Sequence, residues 1–198
     1  MIFDNISKQE LDTIYKKSTT KTYKKVAIIF SDYDKPMHIN VLLEGSLNIC
    51  DFNEDGKRII ITSICDFGDI FGEVFLFVGM PFYEHTAIAN EYTKILKIPK
   101  DLIYQNTKLM QNLMSILAKK AYFLNNRVNL LSCSTLREKI LLYIKYNQKG
   151  DGVFYLDKTK DELADFFNVA RPSLSRELIK MQKDGVISVN GKKITITK

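Results

Sequence analysis

Short apolar runs separated by turn residues fill the chain from Thr22 to Pro99: VAIIF, INVLLEG, LNICDF, RIIITSI, TAIA and KILKI. Runs of this length, rich in Ile and Val, predict strands. Asn53-Glu54-Asp55-Gly56 lies between LNICDF and RIIITSI, where a Gly-containing hairpin loop is expected. Gly45, Gly68, Gly72 and Gly79 fall near strand ends, where a left-handed backbone is often required. Many short strands with frequent turns predict an antiparallel sandwich or small barrel. Ahead of it, from Asn5 to Lys17, Ile6, Leu11, Ile14 and Tyr15 recur at roughly helical spacing and predict a short amphipathic helix.

The period changes after Pro99. From Lys100 to about Cys133 there is no Gly or Pro, and the segment has room for a helix of about nine turns. Met110, Met114, Leu117, Ala121, Leu124, Val128 and Leu131 follow one another at alternating spacings of four and three, a heptad seam. A second apolar row, Leu109, Leu113, Ile116, Phe123 and Leu130, flanks it. One row packing on the strands and the seam meeting a second copy would make this a dimerisation helix. An ordinary core helix is the alternative. Ser132 to Ser134 interrupts the pattern, so a hinge is placed there, dividing the chain into residues 1–133 and 134–198.

The last third begins with a helix carrying Leu136, Ile140, Leu141 and Ile144, which QKGDG is expected to end through its glycines, followed by a short strand, VFYL. Thr159-Lys160-Asp161-Glu162 has the Thr-x-x-Glu pattern of a capping box, so a helix starts near Lys160, with Leu163, Ala164, Phe166 and Phe167 as its apolar face. Asn168 tolerates the left-handed conformation of a tight turn, and Val169 anchors that turn. Pro172 falls in the first turn of the next helix, where its missing N–H costs little. Leu174, Leu178 and Met181 form the buried side of that helix. Ser173, Arg176 and Lys180 line a different face, with Arg171 and Ser175 near its N-terminal end.

Two helices in this relation are a helix-turn-helix, whose second helix enters the major groove of double-stranded DNA. An Arg in such a helix donates two hydrogen bonds to guanine, roughly 1–3 kcal/mol of discrimination, while Ser and Lys more often meet phosphates. Each of these residues alone would be at home on a solvated helix face; the set within one short helix pair favours DNA. KDGVISVNGKKITI then supplies two strands joined by Asn190-Gly191, a strong hairpin signal. This hairpin reads as a wing, with Lys192 and Lys193 beside its tip placed to neutralise phosphates.

Charge sharpens this division. Of 29 Lys/Arg and 23 Asp/Glu, residues 1–133 hold 16 and 15, and residues 134–198 hold 13 and 8. The excess cation sits in the part read as DNA-binding. No signal peptide and no run long enough for a bilayer are read in the chain, so a cytoplasmic protein without membrane contact is expected. Cys50, Cys65 and Cys133 are odd in number and form no C-x-x-C pair, against a disulfide framework or a zinc site; Cys50 and Cys65, within apolar runs, are expected to be buried thiols. There is no G-x-S-x-G, H-E-x-x-H or P-loop, and only two histidines, so no enzyme is expected.

In this order of parts the chain resembles the Crp/Fnr family of bacterial transcription regulators. ELADFFNVARPSLSRELIKMQKDGVI carries the likeness in the last third, and LLEGSLNI with FGDIFGE carries it among the strands. The resemblance implies an α+β fold: an N-terminal antiparallel β-roll like a cyclic-nucleotide-binding domain, a long dimerisation helix over about 100–133, and a C-terminal winged helix-turn-helix. It implies that Arg171, Ser175 and Arg176 touch or approach DNA, and that the protein contacts RNA polymerase, through residues it does not assign. Ala170 stands where relatives commonly place a capping Ser, and Pro172 where many have a base-reading Glu, so the operator need not be the usual one of the family.

The sensor half departs further. Cyclic-nucleotide-binding relatives follow a Gly-Glu pair, ten residues on, by an Arg that neutralises the phosphate and then by a Ser. Here Gly72-Glu73 is followed by Tyr83 and Glu84. A phosphate without a cation and beside a carboxylate is unfavourable, so cyclic AMP is not the expected ligand. The cysteine cluster that holds an iron-sulfur centre in some relatives has no counterpart before Cys50, so that centre is not expected either. His38 and His85 are the candidate haem ligands, although lone histidines are more commonly hydrogen-bonded or surface residues. A pocket near Phe71, Gly72, Glu73, Phe75, Tyr83 and Glu84 is the candidate effector site.

The expectation is therefore a homodimeric, sequence-specific DNA-binding regulator on a pseudo-palindromic site with half-sites about one helical turn apart. Its DNA contacts would be Arg171, Ser173, Ser175, Arg176, Lys180, Lys192 and Lys193. The rival is a ligand-binding or protein-interaction module whose helix-turn-helix no longer grips DNA specifically, suggested by Ala170 and Pro172.

Overall fold

The computed structural model describes residues 1–148, 153–156 and 158–197. The chain divides into two compact units, Met1–Ala118 and Lys119–Lys198. The glycines expected to end the first helix of the last third, Gly150 and Gly152, lie outside the described residues.

The first unit opens with α1 (Lys8–Lys17), three residues later than the sequence pattern places it. Ser7 is the reason: its side chain caps the helix, and Glu10 returns a bond to the Ser7 backbone. Asn5 just before it is left-handed at φ 57°. Eight strands follow: β1 (Thr19–Tyr23), β2 (Ile28–Phe30), β3 (His38–Glu44), β4 (Leu47–Phe52), β5 (Arg58–Ile64), β6 (Ile70–Phe71), β7 (Thr86–Ala89) and β8 (Thr93–Pro99), with α2 (Glu73–Val78) between β6 and β7. They form two antiparallel four-stranded sheets, ordered β1-β8-β3-β6 and β2-β7-β4-β5. Leu42 and Ile95 of the first sheet meet Leu47 and Ala87 of the second in one core. The other face of the first sheet, through Ile39, Val41, Leu96 and Ile98, packs with Ile14 of α1 and with helices after β8.

Those helices are two. The sequence predicts one unbroken helix from Lys100, but α3 (Lys100–Gln105) ends at Asn106, whose backbone is extended, and α4 (Thr107–Ser132) starts next to it. Asn106 Oδ1 accepts a bond from the Leu109 N–H at 2.9 Å. A side chain that caps the next helix competes with continuing the last one. Leu109 and Leu113 of α4 are buried in the first unit's core.

In the second unit, Leu130 near the end of α4 is buried with α5 (Leu136–Asn147), β9 (Val153–Tyr155), α6 (Lys160–Phe167), α7 (Arg171–Lys183), β10 (Ile187–Asn190) and β11 (Lys193–Ile196). α4 ends at Ser132 and α5 starts at Leu136, where Thr135 caps α5 with Glu138 as the reciprocal partner. The boundary between the units falls between Ala118 and Lys119, inside α4, so Leu109 and Leu113 belong to the first core and Leu130 to the second.

Candidate DNA-binding site and sensor pocket

Local chemistry sets the helix-turn-helix. Thr159 and Glu162 form the expected capping box; bonds from the Thr159 N–H and hydroxyl hold the Glu162 carboxyl below the ordinary glutamate value. Asn168 ends α6 in the left-handed conformation, φ 56° and ψ 51°. Val169 donates its N–H to the Ala164 carbonyl at 3.0 Å and packs on the core, which fixes the turn. Ala170 is the N-cap of α7 and makes no side-chain cap bond. Its carbonyl instead accepts from Ser173 at 2.9 Å and Leu174 at 3.2 Å, while Pro172 has no N–H to satisfy.

Leu174, Leu178 and Met181 are buried beneath α7. Arg171, Arg176 and Lys180 are exposed, and Ser173 and Ser175 half-buried. The two arginines are held locally. Arg171 Nε lies 3.2 Å from Asp161 Oδ1 of α6. Arg176 folds along its own helix, donating from Nε to the Pro172 carbonyl at 3.3 Å and from its terminal nitrogen to Ser173 Oγ at 3.4 Å.

Two contacts that the sequence reading does not anticipate fix the module. Arg137 of α5 donates to Glu177 Oε1 at 2.7 Å and to Asp184 Oδ2 at 2.6 Å, bracing both ends of the C-terminal part of α7. Arg127 of α4 donates to the Phe166 carbonyl at 2.6 Å and stacks over the Phe166 ring at 4.2 Å. Their partners are 40, 47 and 39 residues away in sequence, so no local pattern signals them.

The wing is a three-stranded antiparallel sheet, β10-β11-β9. Asn190 pairs with Lys193, so the hairpin loop is Gly191-Lys192, one residue beyond the Asn190-Gly191 turn that the sequence suggests. Only Gly191 of this stretch is left-handed, at φ 59°. Lys192 and Lys193 are exposed at the tip, and the Lys192 carbonyl accepts from the Leu156 N–H at 2.7 Å.

In the first unit, Gly72 caps α2 at φ 76°, and a Cβ there would approach the Tyr83 ring to 3.0 Å. Tyr83 is buried, stacked on Phe30 with centroids 3.8 Å apart, and burial raises its pKa. Phe71 and Glu73 are buried with it, whereas Glu84 is exposed. Phe75 lies edge-on to both Tyr83 and His85. His85 Nδ1 is 2.7 Å from Asp51 Oδ1, an ordinary hydrogen-bonded histidine. His38, at the start of β3, lies on a different strand. Cys50 is buried as expected; Cys65 is exposed, against expectation, because it follows β5 at the open edge of its sheet.

A two-sheet β domain joined by a long helix to a winged helix-turn-helix defines a DNA-binding transcription regulator, not an enzyme. The chain belongs to the Crp/Fnr family of such regulators. Residues 20–107 match the cyclic nucleotide-binding domain and residues 139–198 the Crp-like helix-turn-helix domain. It is 28% identical over 202 residues to the anaerobic regulatory protein of Bacillus subtilis, covering 94% of this chain and 83% of that one. It is 26% identical over 202 residues to the regulatory protein HlyX of Actinobacillus pleuropneumoniae, covering 96% and 81%. Its fold is similar to the catabolite activator protein of Thermus thermophilus, with a TM-score of 0.57 at 21% identity over 98% of this chain and 92% of that one. DNR from Pseudomonas aeruginosa is similar too, with a TM-score of 0.54 at 20% identity over 100% and 90%. Among the described residues no helix is long and apolar enough to cross a membrane, and no cluster of three or more His, Cys, Asp or Glu has the arrangement of a metal site.

Proposed function

We propose that the protein acts in the cytoplasm as a homodimer that reads a pseudo-palindromic operator and changes transcription there through contact with RNA polymerase. The observation that carries this reading is the division of α7 between a buried apolar side, Leu174, Leu178 and Met181, and a basic, hydroxyl-bearing side left open. In the complex the N-terminal half of α7 lies in the major groove. Arg176 and Arg171 donate to base edges, Ser173, Ser175 and Lys180 hold neighbouring phosphates, and Lys192 and Lys193 of the wing grip the backbone. Each arginine exchanges a partner on binding: Arg171 leaves Asp161, and Arg176 leaves Pro172 and Ser173.

Dimerisation is supported by the seam of α4. Met114, Leu124, Val128 and Leu131 are 58–64% exposed, an apolar row with no cover within one chain. Residues 1–133 then form the sensing and dimerising part and residues 134–198 the DNA-binding part. The effector site lies among the strands near Phe71, Gly72, Glu73, Tyr83 and Glu84, and its ligand is not cyclic AMP. The place of the phosphate-neutralising Arg is taken by a phenol stacked on Phe30.

Selection of random duplexes by the purified chain, sequenced at two salt concentrations, tests the reading. A palindrome enriched at both, with half-sites ~34–36 Å apart, is the expected result. Binding that enriches nothing and is unchanged by Arg176→Ala overturns it.

A further inference from the structure

The inner face of the first sheet ends in a group of cations. Lys97 of β8 pairs with Asn40 of β3 on one side and Thr19 of β1 on the other; His38 and Lys21 lie two residues along from those partners. Side chains two apart on a strand share a face, and diagonal neighbours across a ladder are roughly 7–8 Å apart. That face is the one on which Leu42 and Ile95 enter the core between the sheets. Lys35 joins the group from the loop before β3, and all four side chains line a cavity of about 420 Å³. Its apolar walls include Tyr23, Phe30, Met37 and Tyr83.

None of Lys21, Lys35, His38 and Lys97 forms an ion pair among the described residues. The one acidic residue of the lining, Asp34, already accepts from the Ser31 N–H at 2.8 Å. Lys97 Nζ reaches only the Ile29 carbonyl, at 3.5 Å, and the Tyr23 ring, at 5.9 Å. Burial lowers the pKa of Lys97, against a smaller opposing pull from the Asp34 charge; burial and then the charges of Lys97 and Lys21 lower that of His38. Lys97 is half-buried while Lys21 and Lys35 are exposed around it, and an anion placed among them offsets both the burial of the Lys97 charge and the proximity of like charges. A volume in the range of small-molecule sites, with aromatic walls and convergent cations, selects the ligand.

We propose that this cavity binds a small organic anion, a carboxylate or phosphate on an aromatic or other apolar body, with Lys97 and Lys21 on the acid group. Of the residues at the cyclic-nucleotide position it uses Tyr83 alone, and its lysines come from β1, β8 and the loop before β3, outside that stretch. The inference stands apart from the DNA reading, since its test involves no DNA.

The test is calorimetric titration of the full chain in chloride buffer with phenyl phosphate, benzoate, inorganic phosphate and phenol. Phenyl phosphate or benzoate is expected to bind once per chain, and their relative strength tells phosphate from carboxylate. Phenol and inorganic phosphate each bind more weakly, as each lacks half of the ligand. Lys97→Met and Lys21→Met each weaken binding about tenfold or more, the loss expected for one charge-assisted hydrogen bond. Lys57→Met, on the exposed β4–β5 loop, leaves it unchanged. Should Lys97→Met fail to fold by circular dichroism, Lys21→Met and Lys35→Met decide. No saturable binding of either organic anion, or binding unmoved by the lining variants, overturns the proposal.

Discussion

Arg176 lies against its own helix, bonded to Pro172 and Ser173, in an exposed position where those bonds are readily exchanged. Truncation to Ala should therefore leave folding intact while removing roughly 1–3 kcal/mol of discrimination between operator and scrambled duplex, read by competition binding. Ala170 offers the opposite kind of test. An added Ser cap is normally worth about 1 kcal/mol, but here the Ser173 N–H already has the Ala170 carbonyl at 2.9 Å and Pro172 has no N–H to offer. Ala170→Ser should thus stabilise the protein by less than about 1 kcal/mol in thermal unfolding. These two residues are legible from sequence because their roles are local. Arg137 is not: its partners Glu177 and Asp184 reach it only after α5 and α7 have packed.

At the scale of elements, the capping box of α6 gives a pH prediction with a definite sign. Hydrogen bonds from Thr159 depress the Glu162 pKa in the folded chain, so the stabilisation is complete above the unfolded glutamate value and is lost as pH falls through the folded one. Acid unfolding followed by circular dichroism should be shallower in Glu162→Gln, which keeps a capping geometry without the titration. The seam of α4 gives another. Leu124→Glu and Val128→Glu place carboxylates on residues about 60% exposed in the single chain, so sedimentation should show folded monomers where the parent is a dimer. Heptad spacing shows the seam in the sequence. It does not show Asn106, which ends α3 and caps α4 through a bond to Leu109.

For the whole molecule, the excess of Lys and Arg lies in residues 134–198, and the wing places Lys192 and Lys193 together at one tip. Replacing both by Ala should weaken binding to all duplexes alike and reduce the slope of log affinity against log salt by about one for each phosphate no longer neutralised. A change confined to one sequence would instead mark these lysines as base readers. The counterpart in the first unit is the cavity of Lys21, His38 and Lys97, whose cations lie 76 residues apart along the chain from first to last. Neither spacing nor charge density indicates it; antiparallel pairing of β1, β8 and β3 brings it about.

The sequence alone determines what rests on neighbours within a few residues. The capping box at Thr159, the left-handed Asn168, the buried side of α7 and the short strands all follow from backbone sterics and side-chain period, and the order of these parts is enough to indicate the family. Tertiary structure decides what depends on strands and helices brought from afar. RIIITSI reads as a strand, and only the sheet order shows that as β5 it borders β4 alone and leaves Ile59, Ile60 and Ile61 exposed. Tyr83 stands where a phosphate-binding Arg would, and only packing shows it stacked on Phe30 against Gly72. Strand order sets which face is covered and which charges meet, and it is a property of the folded sheet, absent from any single run of residues.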